Sequence, residues 1–93
     1  MTTWRDLITE EMTAQSENWG HVVSLVIGPG DPDTVAFDLD TDFDTGFGWE
    51  QGAPFTLWTQ HRVYFPACYD GSEWVESVSR DPDGVPTRHV GGG

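Results

Sequence analysis

The residues best placed to do chemistry are Asp38, Asp40, Asp42 and Asp44, which alternate with Leu39, Thr41 and Phe43 at a period of two. In an extended strand that period puts the four carboxylates on one face and Phe37, Leu39 and Phe43 on the other. Adjacent carboxylates then stand roughly 7 Å apart, twice the strand rise. A nucleic-acid strand carries one charge per about 3.4 Å of axis, and its winding backbone lengthens the separation to on the order of 6–7 Å. The row therefore has the spacing of a short run of phosphates. Asp31, Asp33 and Glu50 extend it on either side. Two other readings compete with mimicry: the solvated face of a two-sided strand, and a cation site. The first is weakened because no Lys or Arg is interspersed, and like charges along a strand repel. The second fails the calcium-loop count. A loop begun at Asp38 puts Phe43 where the invariant Gly belongs and Trp49 where the bidentate Glu belongs; begun at Asp40, it puts Thr45 and Gln51 there. A weak, adventitious Ca²⁺ or Mg²⁺ site stays open, but no dedicated metal site and no cofactor is expected.

Other chemistry is sparse. His21, His61 and His89 are scattered and form no ligand pair, and Cys68 has no C-x-x-C partner or nearby Lys or Arg to activate it. Paired carboxylates could serve glycoside hydrolysis, but a chain of 93 residues rarely builds a substrate cleft around them. Gly28-Pro29-Gly30 and Gly46-Phe47-Gly48 are too short, and too acidic nearby, to cradle a phosphate. The expectation is a protein that acts by binding rather than by catalysis.

Charge indicates what it would bind. Sixteen Asp and Glu face four Arg and no Lys, for a net charge of −12. Small domains are usually comfortable at a magnitude of roughly 2–8, and the excess costs stability through self-repulsion. Direct nucleic-acid binding needs Lys and Arg for the phosphates and is excluded. Attraction to anionic membranes is excluded on the same ground. A basic protein surface is the natural complement. Five tryptophans serve core and hairpin packing, with Trp49 and Trp58 as candidate exposed anchors.

The elements that must position these groups follow from periodicity. Residues 3 to about 15 read as a helix, with Thr3 as N-cap, Asp6 as a capping-box variant, and Trp4, Leu7, Ile8 and Met12 on one stripe. His21 to Ile27 reads as a strand ended by the turn Gly28 to Asp33. Thr34 to about Asp44 reads as extended, and Thr45 to Ala53 as a loop anchored by Phe47 or Trp49. Phe55–Thr59 and Arg62–Phe65 are strands around Gln60-His61. Asp70-Gly71 is a two-residue hairpin signal leading into Glu73 to Val78. Pro66 marks a bulge, a strand end or an exposed edge. The fold class is α+β: one N-terminal helix on a four- to five-stranded antiparallel sheet. Residues 1–80 form one domain and 81–93 a flexible Pro/Gly-rich tail. The N-terminus has no signal-peptide pattern and a lone cysteine forms no intrachain bridge, so a cytoplasmic location is expected.

The string Thr2-Thr-Trp-Arg-Asp-Leu-Ile, with Phe55–Thr59, Arg62-Val-Tyr-Phe-Pro66 and Tyr69-Asp-Gly71, resembles small acidic proteins encoded by bacteriophages and related mobile elements. In size, charge and solitary domain the chain is similar to anti-CRISPR and anti-restriction inhibitors, several of which mimic DNA. That resemblance implies an inhibitor in the host cytoplasm. Its acidic row would block the nucleic-acid channel of a basic host protein, with a CRISPR–Cas effector as the leading partner. The alternative is a non-catalytic phage module that recognises its partner through exposed aromatics.

Overall fold

Helix α1 (Trp4–Ala14) starts where Thr3, extended at φ −123°, accepts a hydrogen bond from Asp6 N at 3.1 Å on its Oγ1. That bond satisfies one of the orphan donors of the first turn. The structure is a computed structural model that describes residues 2–30, 34–44, 51–69 and 72–91. Trp4, Ile8 and Met12 are buried along one stripe of α1, with Leu7 packed at its margin. A short 3₁₀ turn, Trp19–His21, leads into the sheet.

The strands are β1 (Val22–Ile27), β2 (Phe55–Thr59), β3 (Arg62–Tyr69) and β4 (Ser72–Ser79). They form one antiparallel sheet in the order β1-β2-β3-β4, with α1 packed against it, so the expected α+β arrangement is the one observed. Register sets the inner face. Leu25 and Ile27 of β1 pair with Leu57 and Phe55 of β2, and Leu57 pairs with Tyr64 of β3. These residues, with Val75, meet the helix stripe in a single core. Thr59 shapes the β2–β3 turn by accepting from His61 N and Arg62 N at 3.2 and 2.9 Å. Tyr69 pairs with Ser72, while the Asp70-Gly71 turn between them lies outside the described residues. Pro66 lies past the last β2–β3 pair, Leu57 with Tyr64, where its missing N–H breaks no bond to β2. After β4, Arg80 donates to the carbonyls of His61 and Thr59, Arg88 pairs with Glu76, and Gly91 lies against the Cys68 carbonyl. Among the described residues no helix is long and apolar enough to cross a membrane.

Residues 34–44 depart from the expected strand. Ala36 bridges to Gly52, the chain bends over Asp38 to Asp40, and Phe43 bridges to Thr2. Ala36, Leu39 and Phe43 are buried, whereas Phe37 is 58% exposed. The reason is Trp4. Its ring lies 4.9 Å from Phe43 and 5.0 Å from Phe55, and its Nε1 donates to Ala53 O at 3.0 Å. Burying Ala36 together with Leu39 and Phe43, at spacings of three and four, requires a bent path that a straight strand of period two cannot supply.

The same indole leaves no room at Gly52, where an added Cβ would overlap the Trp4 ring. Gly52→Ala should therefore destabilise the protein by about 1–3 kcal/mol through overpacking. Urea denaturation checks this as a lower midpoint at unchanged m-value.

Candidate interaction surface

The acidic segment is built on a side-chain-capped bend. Asp38 Oδ1 accepts from Asp40 N and Thr41 N, both at 2.8 Å, and from Thr41 Oγ1 at 2.9 Å. This is the local turn that Asp favours over regular structure. The Asp40 amide, followed by the Thr41 hydroxyl and amide, holds the Asp38 carboxyl below its usual range. Asp40 faces the helix. It accepts from Arg5 Nε at 2.6 Å and from Arg5 Nη2 at 3.1 Å, and this pairing lowers its carboxyl below the usual value. The Arg5 guanidinium also stands 5.1 Å over the Trp19 ring, a favourable cation–π position.

Asp38, Asp40, Asp42 and Asp44 are all exposed. They project from a bent loop rather than in a row on one strand face, so strand-derived phosphate spacing does not describe them. Asp31, Asp33 and Glu50, which the sequence adds to the patch, lie outside the described residues, as does Trp49. Next to the loop, joined to it by the Arg5–Asp40 pair and the Thr2–Phe43 bridge, α1 turns Asp6 and Glu10 outward.

The arginines decide the field around this loop. Arg5 pairs with Asp40, and Arg88 with Glu76 at 2.8 Å. Arg62 donates to Ser77 Oγ and O at 2.8 and 3.1 Å, and Arg80 to Thr59 O at 2.6 Å. Every cationic side chain of the 93-residue sequence is thus committed within the molecule.

Sequence reasoning did not single out three other carboxylates. Glu17, with a side chain 6% exposed, accepts from Tyr64 Oη at 2.5 Å and from Thr59 Oγ1 at 3.0 Å. Glu11 Oε2 accepts from Ser77 Oγ at 2.7 Å and from Gln15 Nε2 at 3.0 Å. Glu73, buried in β4, accepts from Gln51 N and Gly52 N at 2.9 and 3.1 Å and so fixes the segment that receives Trp4. Two carboxylates, a tyrosine and an arginine in one neighbourhood resemble acid–base machinery. Tyr64 is bonded to Glu17, however, Arg62 and Glu11 both to Ser77, and no buried side-chain polar atom among the described residues lacks a partner. The cluster holds the fold together. Its signal in the sequence was an acid set among apolar neighbours, as in Glu73-Trp74-Val75.

The remaining candidates are dispersed. His21 Nδ1 accepts from Asn18 N at 3.2 Å and lies 4.0 Å from Glu17. His61 and His89 are exposed. Cys68 lines a hollow of about 340 Å³ with Pro29, Gly30, Pro54 and Pro66. Among the described residues no group of three or more His, Cys, Asp and Glu is arranged to hold a metal. In comparisons with family models, curated proteins and solved structures, nothing matches the chain.

Burial first, and then the hydrogen bond to Glu17, push the Tyr64 phenol well above the ordinary tyrosine value. A raised folded-state value means that this contribution to stability is complete below about pH 10, the unfolded tyrosine value, and is lost as pH rises above it. Tyr64→Phe should cost about 1.5–3 kcal/mol at neutral pH, the range for a hydrogen bond to a charged group. It should also flatten the alkaline fall in stability, read from denaturation midpoints across that range. Asp38→Ala removes the acceptor of the bend. It should raise the amide hydrogen-exchange rates of Asp40 and Thr41 while leaving those of β3 unchanged, as measured by NMR.

Proposed function

We propose that this domain acts by binding, docking an electronegative face onto a basic protein surface that normally carries nucleic acid. The observation that carries the reading is the asymmetry of charge. All four arginines make hydrogen bonds within the molecule, while Asp6, Glu10, Asp38, Asp42 and Asp44 stand exposed on α1 and the adjoining loop. Such a surface repels phosphates and steers the protein toward Lys- and Arg-lined clefts, with on-rates that fall as salt rises. A bent loop presents its carboxylates as an exposed cluster rather than as a copy of a straight backbone. The specific case is a phage-type, anti-CRISPR-like inhibitor that occupies the DNA channel of a CRISPR–Cas effector. Small size, extreme acidity and the phage-protein resemblance support it.

Competition provides the test. Titrated into an effector already holding labelled DNA, the protein should displace the DNA, and displacement should weaken with added NaCl. A ternary complex with undiminished DNA affinity would refute mimicry. Changing Asp38, Asp42 and Asp44 together to Asn keeps the Asp38 acceptor and the Arg5–Asp40 pair. It should weaken binding by roughly 10-fold or more, measured at a temperature where circular dichroism shows the variant folded.

A further inference from the structure

The sheet ends on β1 at one side and on β4 at the other, and each edge strand turns a row of backbone N–H and C=O groups away from its neighbour. The β4 edge is guarded. Helix α1 packs against β4, and Arg62 donates to the Ser77 carbonyl at 3.1 Å. Glu73 and Glu76 place charge along the strand, and Arg88 ties the chain after β4 back to Glu76. The β1 edge has only a bulge between Val22 and Ser24, past which residues 24–27 keep regular register with β2. Its sequence, Val22-Val-Ser-Leu-Val-Ile27, holds no charge and no proline. The bond from Gly28 N to Pro54 O, at 2.7 Å, fixes which of its groups point outward. Amide direction alternates along a strand, so Ser24 and Val26 also face β2, while Leu25 and Ile27 turn N–H and C=O to the open side. Among the described residues nothing bonds to them there.

The chemistry of this edge specifies its occupant. Donors and acceptors that repeat at every second residue are matched by another extended backbone, the basis of peptide recognition by strand addition. Side chains set the rest. Leu25 and Ile27 are partly buried at the margin of the core, so a strand beside them lays alternate residues on apolar surface. On the outer face Ser24 is exposed and Val26 is 56% exposed. A second copy carries a fitting sequence in its own β1, but that pairing joins two bodies of net charge −12, and charge far from zero keeps proteins monomeric. We propose that β1 is an acceptor edge for strand addition, taking an extended, uncharged segment of another protein with Val, Ile or Leu at alternate positions. The excess acidity then keeps copies from pairing edge to edge and leaves a neutral segment free to bind. This inference stands on backbone geometry, apart from the electrostatic reading of the acidic loop.

The test uses the full chain and a defined probe, a capped and uncharged peptide of alternating Val and Thr. The control peptide carries N-methyl groups on two adjacent central residues, which blocks both of its backbone edges and keeps its side chains. With the probe, hydrogen exchange followed by NMR should slow at the Leu25 and Ile27 amides by roughly 10-fold or more; with the control it should not change. Leu25→Pro removes an outward donor and no bond to β2, and should weaken probe affinity by about 10-fold. Should circular dichroism show that variant unfolded, Val26→Lys at an exposed site installs the charge that edge strands ordinarily carry. It should weaken affinity by about threefold. Equal protection by probe and control, protection at β4 in place of β1, or an affinity indifferent to the folded variants overturns the proposal. So does a dimer in sedimentation at about 0.15 M salt that either variant disperses, since the edge would then belong to a second copy. The Asn variant of Asp38, Asp42 and Asp44 separates the two readings. It should bind the probe as tightly as the parent chain, so a loss of DNA displacement with probe binding intact concerns the acidic loop alone.

Discussion

The fold depends on where the Trp4 indole sits. It is the first residue of the helix, it lies against Phe43 and Phe55, its N–H is accepted by the Ala53 carbonyl, and it fills the space left by the missing side chain of Gly52. One side chain thus gathers the helix start, the acidic loop and the entry to β2. The contacts nearby follow from it. Thr2 exchanges backbone bonds with Phe43, Arg5 N donates to Leu39 O, and Ala36 pairs with Gly52. Glu73 completes the arrangement from below by fixing the Gln51 and Gly52 amides. A buried carboxylate receiving two backbone donors is a strong contact, and it sits where the core needs a rigid wall.

Acidity in this protein has two roles. Glu11, Glu17 and Glu73 face inward and serve as acceptors for buried hydroxyls and amides. Asp6, Glu10, Asp42 and Asp44 face outward. Asp38 and Asp40 stand between these groups, exposed yet engaged in shaping the loop that carries them. A formal charge total hides this division. What solvent meets is the outward set, held in place by members of the other two.

Much of the fold was legible in the sequence because local chemistry and long-range packing agree there. The Thr3 cap, the Trp4, Ile8, Met12 stripe and the Phe55–Thr59 and Arg62 strands are each specified by residues close together in the chain. The acidic segment was not legible as a strand. Its period of two is real, but Phe37 and Phe43 have opposite fates, one in water and one against Trp4. That choice is made by a residue more than thirty positions away. A local signal did exist in Asp38, whose carboxylate competes for nearby amides. The exposed face of the sheet was also written in plain form. Arg62-Val-Tyr-Phe-Pro-Ala-Cys-Tyr69 is apolar on both sides of the alternation, which marks a strand with something to cover on each face.

The internal use of the arginines makes the protein's tolerance of substitution lopsided. Losing any one of the four removes a contact that ties distant segments together and also pushes the molecule further from neutrality. Losing Asp42, exposed on the acidic loop, relieves repulsion instead. Under random drift with selection only for folding, the outward acids would erode while the arginines stayed. A homologous chain in which Asp42 persists beside variable neighbours would therefore record selection by something outside the fold.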